Sequence, residues 1–182
     1  LSTGVIDLTK GELGTRGSAE LRTLEAKKAT QILKLSVREN LGFADGFFKN
    51  DQEHLLPIIQ KIRKYKPEIV LANAIEDRHP DHGRAAKLVA DACFYAGLIK
   101  IKTLDESNSE QAAWRPKSLF HYIQYNYIKP DFIIDISEEM ESKLESILAY
   151  SSQFYDPNSK EPDTPISSLA FLNSLKERAS DL

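Results

Sequence analysis

Apolar residues recur along this chain at two spacings, which together predict alternating strands and helices. Short apolar runs bounded by turn residues predict strands at residues 5–9, 37–43, 69–72, 119–125 and 132–136. Apolar residues three or four positions apart predict five amphipathic helices. These are a helix over roughly 19–34 capped by Ser18, one capped by Asp51 that ends at Lys66-Pro67, one that stops at Gly97, one capped by Ser137, and one that opens at Thr164-Pro165.

The alternation of strands and helices predicts an α/β fold, Rossmann-like, with a mostly parallel sheet and helices on both faces. The run 69–72 is apolar without interruption, which is typical of a strand buried on both faces. Ligands in such folds bind at the carboxyl ends of the strands. We therefore expect residues 76–82, which follow this strand, to lie at the functional edge of the sheet.

Composition narrows the classes of protein that the chain can represent. Of its 182 residues, 41% are hydrophobic and 28% are charged, and the formal net charge is −3. These values are typical of a globular domain with a core of its own. Because the sequence has no global basic field and no long apolar run, we expect neither nucleic acid nor a membrane among its partners. The single cysteine, Cys93, cannot form an internal disulfide, which is typical of a cytoplasmic protein.

Segment 76–82, Glu-Asp-Arg-His-Pro-Asp-His, holds the densest group of candidate ligands. Imidazole and carboxylate are both common zinc ligands. A helix N-terminus with acidic residues at the positive end of its dipole, and with solvated histidines, explains the same pattern. A catalytic zinc takes three protein ligands and a water, and no second cluster of this kind stands out in the sequence. The residues alone therefore indicate either a partial metal site or a solvated helix end.

The same segment, followed by Ala-Ala-Lys-Leu-Val at 85–89, resembles the second motif of the LmbE/PIG-L family of zinc deacetylases. The resemblance covers nearly the whole chain. It is carried further by Asp-Leu-Thr-Lys-Gly-Glu-Leu-Gly-Thr-Arg-Gly-Ser at 7–18, Glu-Leu-Arg at 20–22, Asn-Leu-Gly at 40–42, Lys-Pro-Asp at 129–131 and Tyr-Ser-Ser-Gln-Phe at 150–154. Within the family, the chain is most similar to the bacillithiol-pathway subgroup, which deacetylates N-acetylglucosaminyl-malate.

The first motif of the family, Ala-His-Pro-Asp-Asp, is absent from this sequence. In the family it follows the first strand, gives one His and one Asp to zinc, and supplies a further Asp as general base. The sequence starts at Leu1, and its only methionine is Met140. By resemblance, residues 1–182 are a single deacetylase domain that lacks its N-terminal strand, its first metal motif and its extreme C-terminus. We expect these residues by themselves to bind zinc poorly and to be inactive.

The resemblance also implies catalytic roles within the second motif. His82 is the third ligand of Zn2+. His79, when protonated, stabilises the tetrahedral oxyanion, and Asp81 hydrogen-bonds to His79 and orients it. Zinc lowers the pKa of its bound water to about 7, and the Asp of the absent motif takes the proton.

Three arginines are candidate substrate contacts. The family arginine that matches Arg22 contacts substrate. Arg78 and Arg115 are similar candidates, because a malyl dicarboxylate favours bidentate guanidinium partners. We assign Arg78 to the malyl group and Arg115 to the sugar or the edge of the site. A surface position without a ligand is the alternative for each of them.

The resemblance predicts a zinc-dependent enzyme that hydrolyses the acetamide of a small N-acetylglucosamine conjugate and releases acetate and a free amine. Related deacetylases are often trimers or hexamers, so we expect a homo-oligomer. A deacetylase of another N-acetyl sugar and a non-catalytic sugar-binding member of the fold are the alternatives. A metal-dependent phosphohydrolase or a dinucleotide oxidoreductase fits less well, because the His-Asp doublet of the first and the G-x-G-x-x-G of the second are absent.

Overall fold

The structure of the protein is a computed structural model that describes residues 2–180, and side chains as far as residue 177. Within these residues it contains four strands, five α-helices and one 3-10 turn, Ser137–Glu139. The strands are β1 (Gly4–Thr9), β2 (Val37–Phe43), β3 (Ile69–Ala72) and β4 (Ser118–His121). The helices are α1 (Ala19–Ile32), α2 (Gln52–Tyr65), α3 (Pro80–Ala96), α4 (Met140–Leu148) and α5 (Leu169–Ser180). None of the described helices is long and apolar enough to cross a membrane.

The chain forms two compact units. The first combines the chain up to Gly42 with the chain from Asp131 onward, and the second is Phe43–Pro130. In the first unit β1 pairs with β2. Contacts between the two segments occur in the same order along both of them. Ser36 N–H donates to the Thr3 carbonyl at 2.9 Å, and the Asn40 amide donates to the Thr9 carbonyl at 2.6 Å. Helix α1 packs against α4 in this unit.

The second unit combines a parallel strand pair with two packed helices. Strands β3 and β4 are parallel, with Ile69 opposite Ser118 and Ala72 opposite His121. Helix α3 contacts both strands and packs along α2. The buried apolar side chains of α2 and α3 form the core of this unit because both helices place them on one face. They are Ile58, Ile59, Ile62, Ala85, Ala86, Leu88, Ala92, Cys93 and Ala96.

These elements confirm the predicted α/β class with parallel strands, although the strands form two pairs in the described residues. The Rossmann-like single sheet with helices on both faces, and the single domain, stay predictions. The expectation that 69–72 is buried on both faces was wrong: Ile69 is 59% and Leu71 66% exposed, whereas Ala72 is 3% exposed. Successive strand side chains point to opposite faces. Helix α3 contacts this strand, and the face that carries Ile69 and Leu71 remains accessible.

Two predicted strands differ from those observed. The strand expected at 119–125 ends at His121, and residues 132–136 form no strand. Ile133 and Ile134 are more than half exposed. An apolar sequence becomes a strand only when a neighbouring strand accepts its backbone hydrogen bonds, and this requirement is not visible in the sequence.

Two predicted helix starts were also displaced by side-chain hydrogen bonds. The Asp135 carboxylate accepts from both the N–H and the hydroxyl of Ser137, so Ser137 opens a 3-10 turn rather than capping α4. Thr164 N–H donates to Ser167 Oγ at 2.9 Å, which forms a local turn. Helix α5 therefore starts later than Thr164-Pro165, at Leu169. Ser168, the residue just before it, accepts from Phe171 N–H through its Oγ at 3.1 Å. Local side-chain hydrogen bonds of this kind compete with helix formation.

Arg63 fixes the chain that follows α3. Its side chain is buried, and it donates to the carbonyls of Ala96 (3.0 Å), Leu98 (2.9 Å) and Ile101 (2.8 Å) and to the Thr103 hydroxyl (2.8 Å). The planar guanidinium presents several donors in a fixed geometry, so one side chain satisfies the carbonyls of a whole loop. Burial lowers the pKa of Arg63, while the nearby Glu110 acts in the opposite direction.

We expect Arg63→Met to lower the free energy of unfolding by about 3 kcal/mol, because buried carbonyls lose charged donors. Urea unfolding followed by circular dichroism measures this loss. The matched control is Lys64→Met, which removes an ion pair to Glu106, whose side chain is 80% exposed; exposed pairs contribute little. Equal unfolding midpoints for the two variants would show that Arg63 is not a structural clamp.

Burial also sets the chemistry of the single thiol. Cys93 is buried on α3, and this burial raises the pKa of its thiol to about 11. Because the thiolate is the reactive form, we expect the native protein to react very slowly with a thiol reagent at pH 8. The unfolded protein in urea reacts at the rate of a free thiol. Rapid labelling of the native protein would contradict the buried position.

Candidate functional site

The start of α3 carries the two histidines of the 76–82 segment. His79 is the N-cap, with extended backbone angles, and its ring Nδ1 accepts from Asp81 N–H at 3.2 Å. Pro80 occupies the first turn, where its fixed φ suits the helix and its missing N–H is not needed. His82 lies in the same turn, and the rings of His79 and His82 are 5.1 Å apart. The segment therefore passes directly into a helix and is not a free loop.

Asp77 holds His82 in one orientation. The Asp77 carboxylate hydrogen-bonds to His82 Nδ1, and its other oxygen accepts the backbone N–H groups of Tyr125 and Asn126, both at 3.1 Å. The Asp77 side chain is 1% exposed, whereas that of His82 is 32% exposed. With Nδ1 donating to the carboxylate, the lone pair of the neutral imidazole lies on Nε2. This is the arrangement in which a carboxylate orients a metal-binding histidine.

The electrostatics of Asp77 agree with this role. Burial by itself raises the pKa of the carboxyl group, but the hydrogen bonds from His82 and from the N–H groups of Arg78, Asn126 and Tyr125 outweigh it. Together they lower the pKa of Asp77 to about 2. Asp77 is therefore ionised at neutral pH and keeps accepting from His82.

The carboxylate of Asp81 makes contacts other than one with the His79 ring. Within the described residues its carboxylate accepts from Gly46 N–H at 2.8 Å and from Arg84, and not from the ring of His79. Arg84 also donates to the Gly46 carbonyl at 3.1 Å and lies over the Phe48 ring at 5.3 Å. The reason is geometric: in the first turn of α3 the Asp81 side chain reaches the turn before α2. Asp81 therefore joins α3 to that turn through its carboxylate and bonds to His79 through its backbone N–H; the predicted orientation of His79 by Asp81 stays a prediction.

Arg78 lies beside the Asp77 and His82 pair. Its guanidinium is over the ring of Tyr125 at 5.1 Å, and the backbone N–H of Tyr125 is bound by Asp77. Arg78 is exposed, so its donors are accessible to an anionic group. The predicted substrate role of Arg78 stays a prediction, but its position near the histidines is compatible with it.

Arg115 lies at the other end of α3. It donates to the Phe94 carbonyl at 3.0 Å and covers the Phe94 ring at 4.5 Å. Pro80 and Phe94 are fourteen positions apart on α3, which corresponds to about 20 Å along a helix. Arg115 is therefore far from the histidines along α3, which does not support its assignment to the sugar or the edge of the site; that assignment stays a prediction. The sequence does not reveal to which end of α3 residue 115 returns.

Arg22 belongs to the first unit, on α1. Its guanidinium donates to Gln153 Oε1 and lies against Gly11 and Gly14. A Cβ at either glycine would collide with the guanidinium nitrogens. The Nε atom of Arg22 is buried and has no hydrogen-bond partner. Arg22 is therefore held in a specific local environment, unlike a solvated surface arginine.

The described residues fit only part of a metal site. No group of three His, Cys, Asp or Glu side chains converges within residues 2–180 in a way that could hold a metal ion. A catalytic zinc needs three protein ligands. His82 is suited to be one of them, since Asp77 binds Nδ1 and leaves Nε2 as the nitrogen that can bind a metal. His79 lies beside it with an exposed ring.

Two functional candidates carried no assigned role in the sequence. Asp77 is one of three acids in the 76–82 segment, and nothing in the sequence distinguishes it from Glu76 or Asp81 as the partner of His82. Gln153 lies far from Arg22 in sequence, and only the fold brings their side chains together. The Tyr-Ser-Ser-Gln-Phe string at 150–154 was a signal of resemblance that could have indicated Gln153.

The fold and this histidine site define an α/β protein with one oriented imidazole at a helix start, and comparison with known proteins gives its family. The sequence matches the family described as PIG-L, GlcNAc-PI de-N-acetylase, over residues 2–93. A curated relative, diacetylchitobiose deacetylase of Thermococcus kodakarensis, is 32% identical over 157 residues, which cover 85% of this chain. The chain belongs to the PIG-L family. It spans 57% of the length of that relative.

Solved structures support the same fold. The conserved protein TT1542 from Thermus thermophilus is 39% identical, with a TM-score of 0.77 over 85% of this chain and 67% of its own. The N,N'-diacetylchitobiose deacetylase from Pyrococcus horikoshii, crystallised with an inhibitor, is 21% identical, with a TM-score of 0.74 over 98% of this chain and 64% of its own. At that identity the second likeness concerns the fold alone.

We expect Asp77→Asn to lower the free energy of unfolding by about 2 kcal/mol, because a neutral amide accepts the hydrogen bonds from His82 and the 125–126 backbone less strongly. Thermal unfolding of the metal-free protein measures this loss. Glu76→Gln is the matched control, because Glu76 is exposed and adjacent. If both substitutions shift the midpoint equally, the Asp77 interactions contribute no specific stability.

Proposed function

We propose that the protein is a zinc-dependent deacetylase that hydrolyses the acetamide of a small N-acetylglucosamine conjugate, with N-acetylglucosaminyl-malate as its substrate. The observation that supports this proposal best is the pair formed by Asp77 and His82 beside His79, in a chain of the PIG-L family. An imidazole whose Nδ1 is held by a carboxylate is prepared to bind a metal through Nε2.

In this proposal His82 is one zinc ligand. Residues 2–180 contain no group of three His, Cys, Asp or Glu side chains that could complete the site. When bound, zinc supplies an acidified water and polarises the acetyl carbonyl. Asp77 keeps the His82 ring in the tautomer that presents Nε2. The chain itself thus contributes an oriented ligand, whose tautomer does not need to change during the reaction.

In this proposal His79 stabilises the negative charge that develops on the acetyl oxygen. Its ring lies 5.1 Å from the His82 ring and is exposed. Its Nδ1 accepts from Asp81 N–H at 3.2 Å, which leaves Nε2 as the atom that carries a proton. A donor fixed near a developing oxyanion stabilises the transition state more than the substrate. Asp81 supports this position indirectly, through the contact of α3 with Gly46.

Arg78 and Arg22 are the proposed contacts to the polar substituents of the substrate. The guanidinium of Arg78 lies over Tyr125, which leaves its in-plane donors available to a carboxylate of the malyl group. Arg22, by the family resemblance, is a further proposed substrate contact. Planar guanidinium groups recognise carboxylates in a bidentate geometry. The expected contact of Arg115 with the sugar or the edge of the site stays a prediction, which its position at Phe94 does not support.

A second substrate class has a specific observation in its favour. The 32% identical relative is named for diacetylchitobiose, so a chito-oligosaccharide is the alternative to the malyl conjugate. A neutral disaccharide offers no carboxylate to Arg78. An Arg78→Met variant therefore separates the two classes, because it raises KM for an anionic substrate and leaves that for a neutral one nearly unchanged. A homo-oligomer of cytoplasmic subunits remains part of the proposal.

The deciding measurement is acetate release from N-acetylglucosaminyl-malate and from diacetylchitobiose by the whole protein loaded with zinc, with His82→Ala alongside. We expect release by the parent and a loss of about a hundredfold or more in His82→Ala, because removal of a ligand weakens the metal site. Zinc content by mass spectrometry gives a readout that does not depend on activity.

His54→Gln is the matched histidine control, because His54 binds Asp51 at 2.7 Å within α2 and its cap. We expect this variant to keep its zinc and its activity. No acetate from any N-acetyl sugar would favour a non-catalytic role for the fold. Normal zinc content in His82→Ala would remove His82 from the ligand set.

A further inference from the structure

The first unit contains a chain of hydrogen bonds that runs from Arg22 to a buried carboxylate. The Arg22 guanidinium donates to Gln153 Oε1. The Gln153 amide nitrogen donates to Ser152 Oγ at 2.9 Å, and the Ser152 hydroxyl donates to Glu25 Oε2 at 2.8 Å. Every donor in this chain points the same way, so the positive charge of Arg22 is connected to the negative charge of Glu25 through two neutral groups.

This direction fixes the Gln153 amide. Its nitrogen donates to the Arg16 carbonyl at 2.7 Å as well as to Ser152, and a guanidinium has no acceptor to offer. The carbonyl oxygen must therefore face Arg22. A flipped amide would place its donors against a donor and its oxygen against two oxygens.

The turn that carries Gln153 is itself anchored to the helix that carries Arg22. Glu25 is 1% exposed, and it accepts from Ser152 N–H at 2.7 Å as well as from the Ser152 hydroxyl. Glu25 lies three positions after Arg22 on α1, so both side chains project from the same side of the helix. Phe154, just after Gln153, stacks on Phe171 at 6.1 Å. The glutamine is therefore held from both sides.

Two glycines close the other side of the arginine. The Gly14 N–H donates to the Gly11 carbonyl at 3.0 Å, and Gly11 has a φ of +67°. The guanidinium lies where a Cβ of either residue would be. Gly11, Gly14 and Gln153 thus form a socket around the guanidinium of Arg22.

From this geometry we infer that Gln153 is a positioning residue that orients Arg22 for substrate binding, with Gly11 and Gly14 as the opposite wall of the socket. The inference rests on the proposed function only in taking Arg22 as a substrate contact. A long arginine side chain loses considerable rotamer freedom when it binds a ligand. Because the socket already orders the Arg22 side chain in the free protein, little rotamer freedom remains to be lost on binding. The socket therefore affects the affinity for the substrate rather than the chemical step.

Gln153→Met tests this inference, because it keeps the length of the side chain and removes the acceptor for Arg22. We expect KM to rise about tenfold with kcat close to that of the parent, which is the pattern of lost uniform binding. Gln153→Glu keeps an acceptor for Arg22 and loses the donors to Arg16 and Ser152. Its KM should lie between that of the parent and that of Gln153→Met. Gln31→Met is the matched control, because Gln31 is exposed on α1; its KM should equal that of the parent.

A double-mutant cycle separates positioning from general damage to the fold. We expect Arg22→Met to raise KM, and the addition of Gln153→Met to Arg22→Met to change it less than about twofold. Additive effects of the two substitutions on KM would overturn the inference. So would an unchanged KM in Gln153→Met together with a raised KM in Arg22→Met.

Gly14→Ala places a methyl group against the same guanidinium on the side opposite Gln153. It replaces Gln153→Met in this test if circular dichroism shows that Gln153→Met does not fold. Gly14 does not have a positive φ, so its φ is open to alanine; the added methyl group meets the Arg22 guanidinium first, and the Gly11 carbonyl oxygen at 3.2 Å. We expect KM to rise in Gly14→Ala, and to rise no further in the Arg22→Met background. An unchanged KM would contradict the socket.

A readout without substrate keeps this test separate from that of the proposed function. The Arg22 guanidinium should rotate slowly by nitrogen NMR in the parent and fast in Gln153→Met. Slow rotation in both proteins would refute the socket. If the parent releases no acetate from any sugar while the NMR difference is present, the deacetylase proposal fails and the socket stands.

Discussion

The carboxylate of Asp77 is the interaction on which the histidine site depends. It comes just after β3 and reaches two separate parts of the second unit, the first turn of α3 through His82 and the segment after β4 through the N–H groups of Tyr125 and Asn126. One ionised group thus satisfies donors that would otherwise be left unpaired near the protein interior, where an unmade hydrogen bond is costly. The orientation of His82 is a consequence of that arrangement.

Both units bury charged groups and satisfy them largely with neutral partners. In the second unit, Arg63 donates to backbone carbonyls and the Thr103 hydroxyl. In the first unit, Glu25 accepts from the backbone and hydroxyl of Ser152. A neutral partner with a single allowed hydrogen-bonding direction fixes geometry, whereas an exposed ion pair can adopt many arrangements. In this protein, buried charge therefore holds irregular segments, namely the chain after α3 and the turn at 150–154.

The candidate site residues and the residues that orient them lie in different parts of the chain. PIG-L membership rests on residues 2–93, which include the glycine-rich loop, Arg22 and the two histidines. The partners that orient these groups come from later positions, Tyr125 and Asn126 for Asp77 and Gln153 for Arg22. A fold supplies such partners to many different chemistries, so the reaction must be argued from the oriented side chains themselves.

The sequence by itself determined the local structure of this protein. Helix α1 with its Ser18 cap, α2 with its Asp51 cap, the strand Ile69–Ala72 and the density of ligands at 76–82 all follow from short-range rules of spacing and capping. Only the tertiary structure decided which acid orients which histidine, that Arg115 lies at the far end of α3, that residues 132–136 form no strand, and that Gln153 meets Arg22. The physical reason is the range of the interactions: periodicity and caps act within a few residues, whereas these contacts depend on where separate segments of chain meet in space.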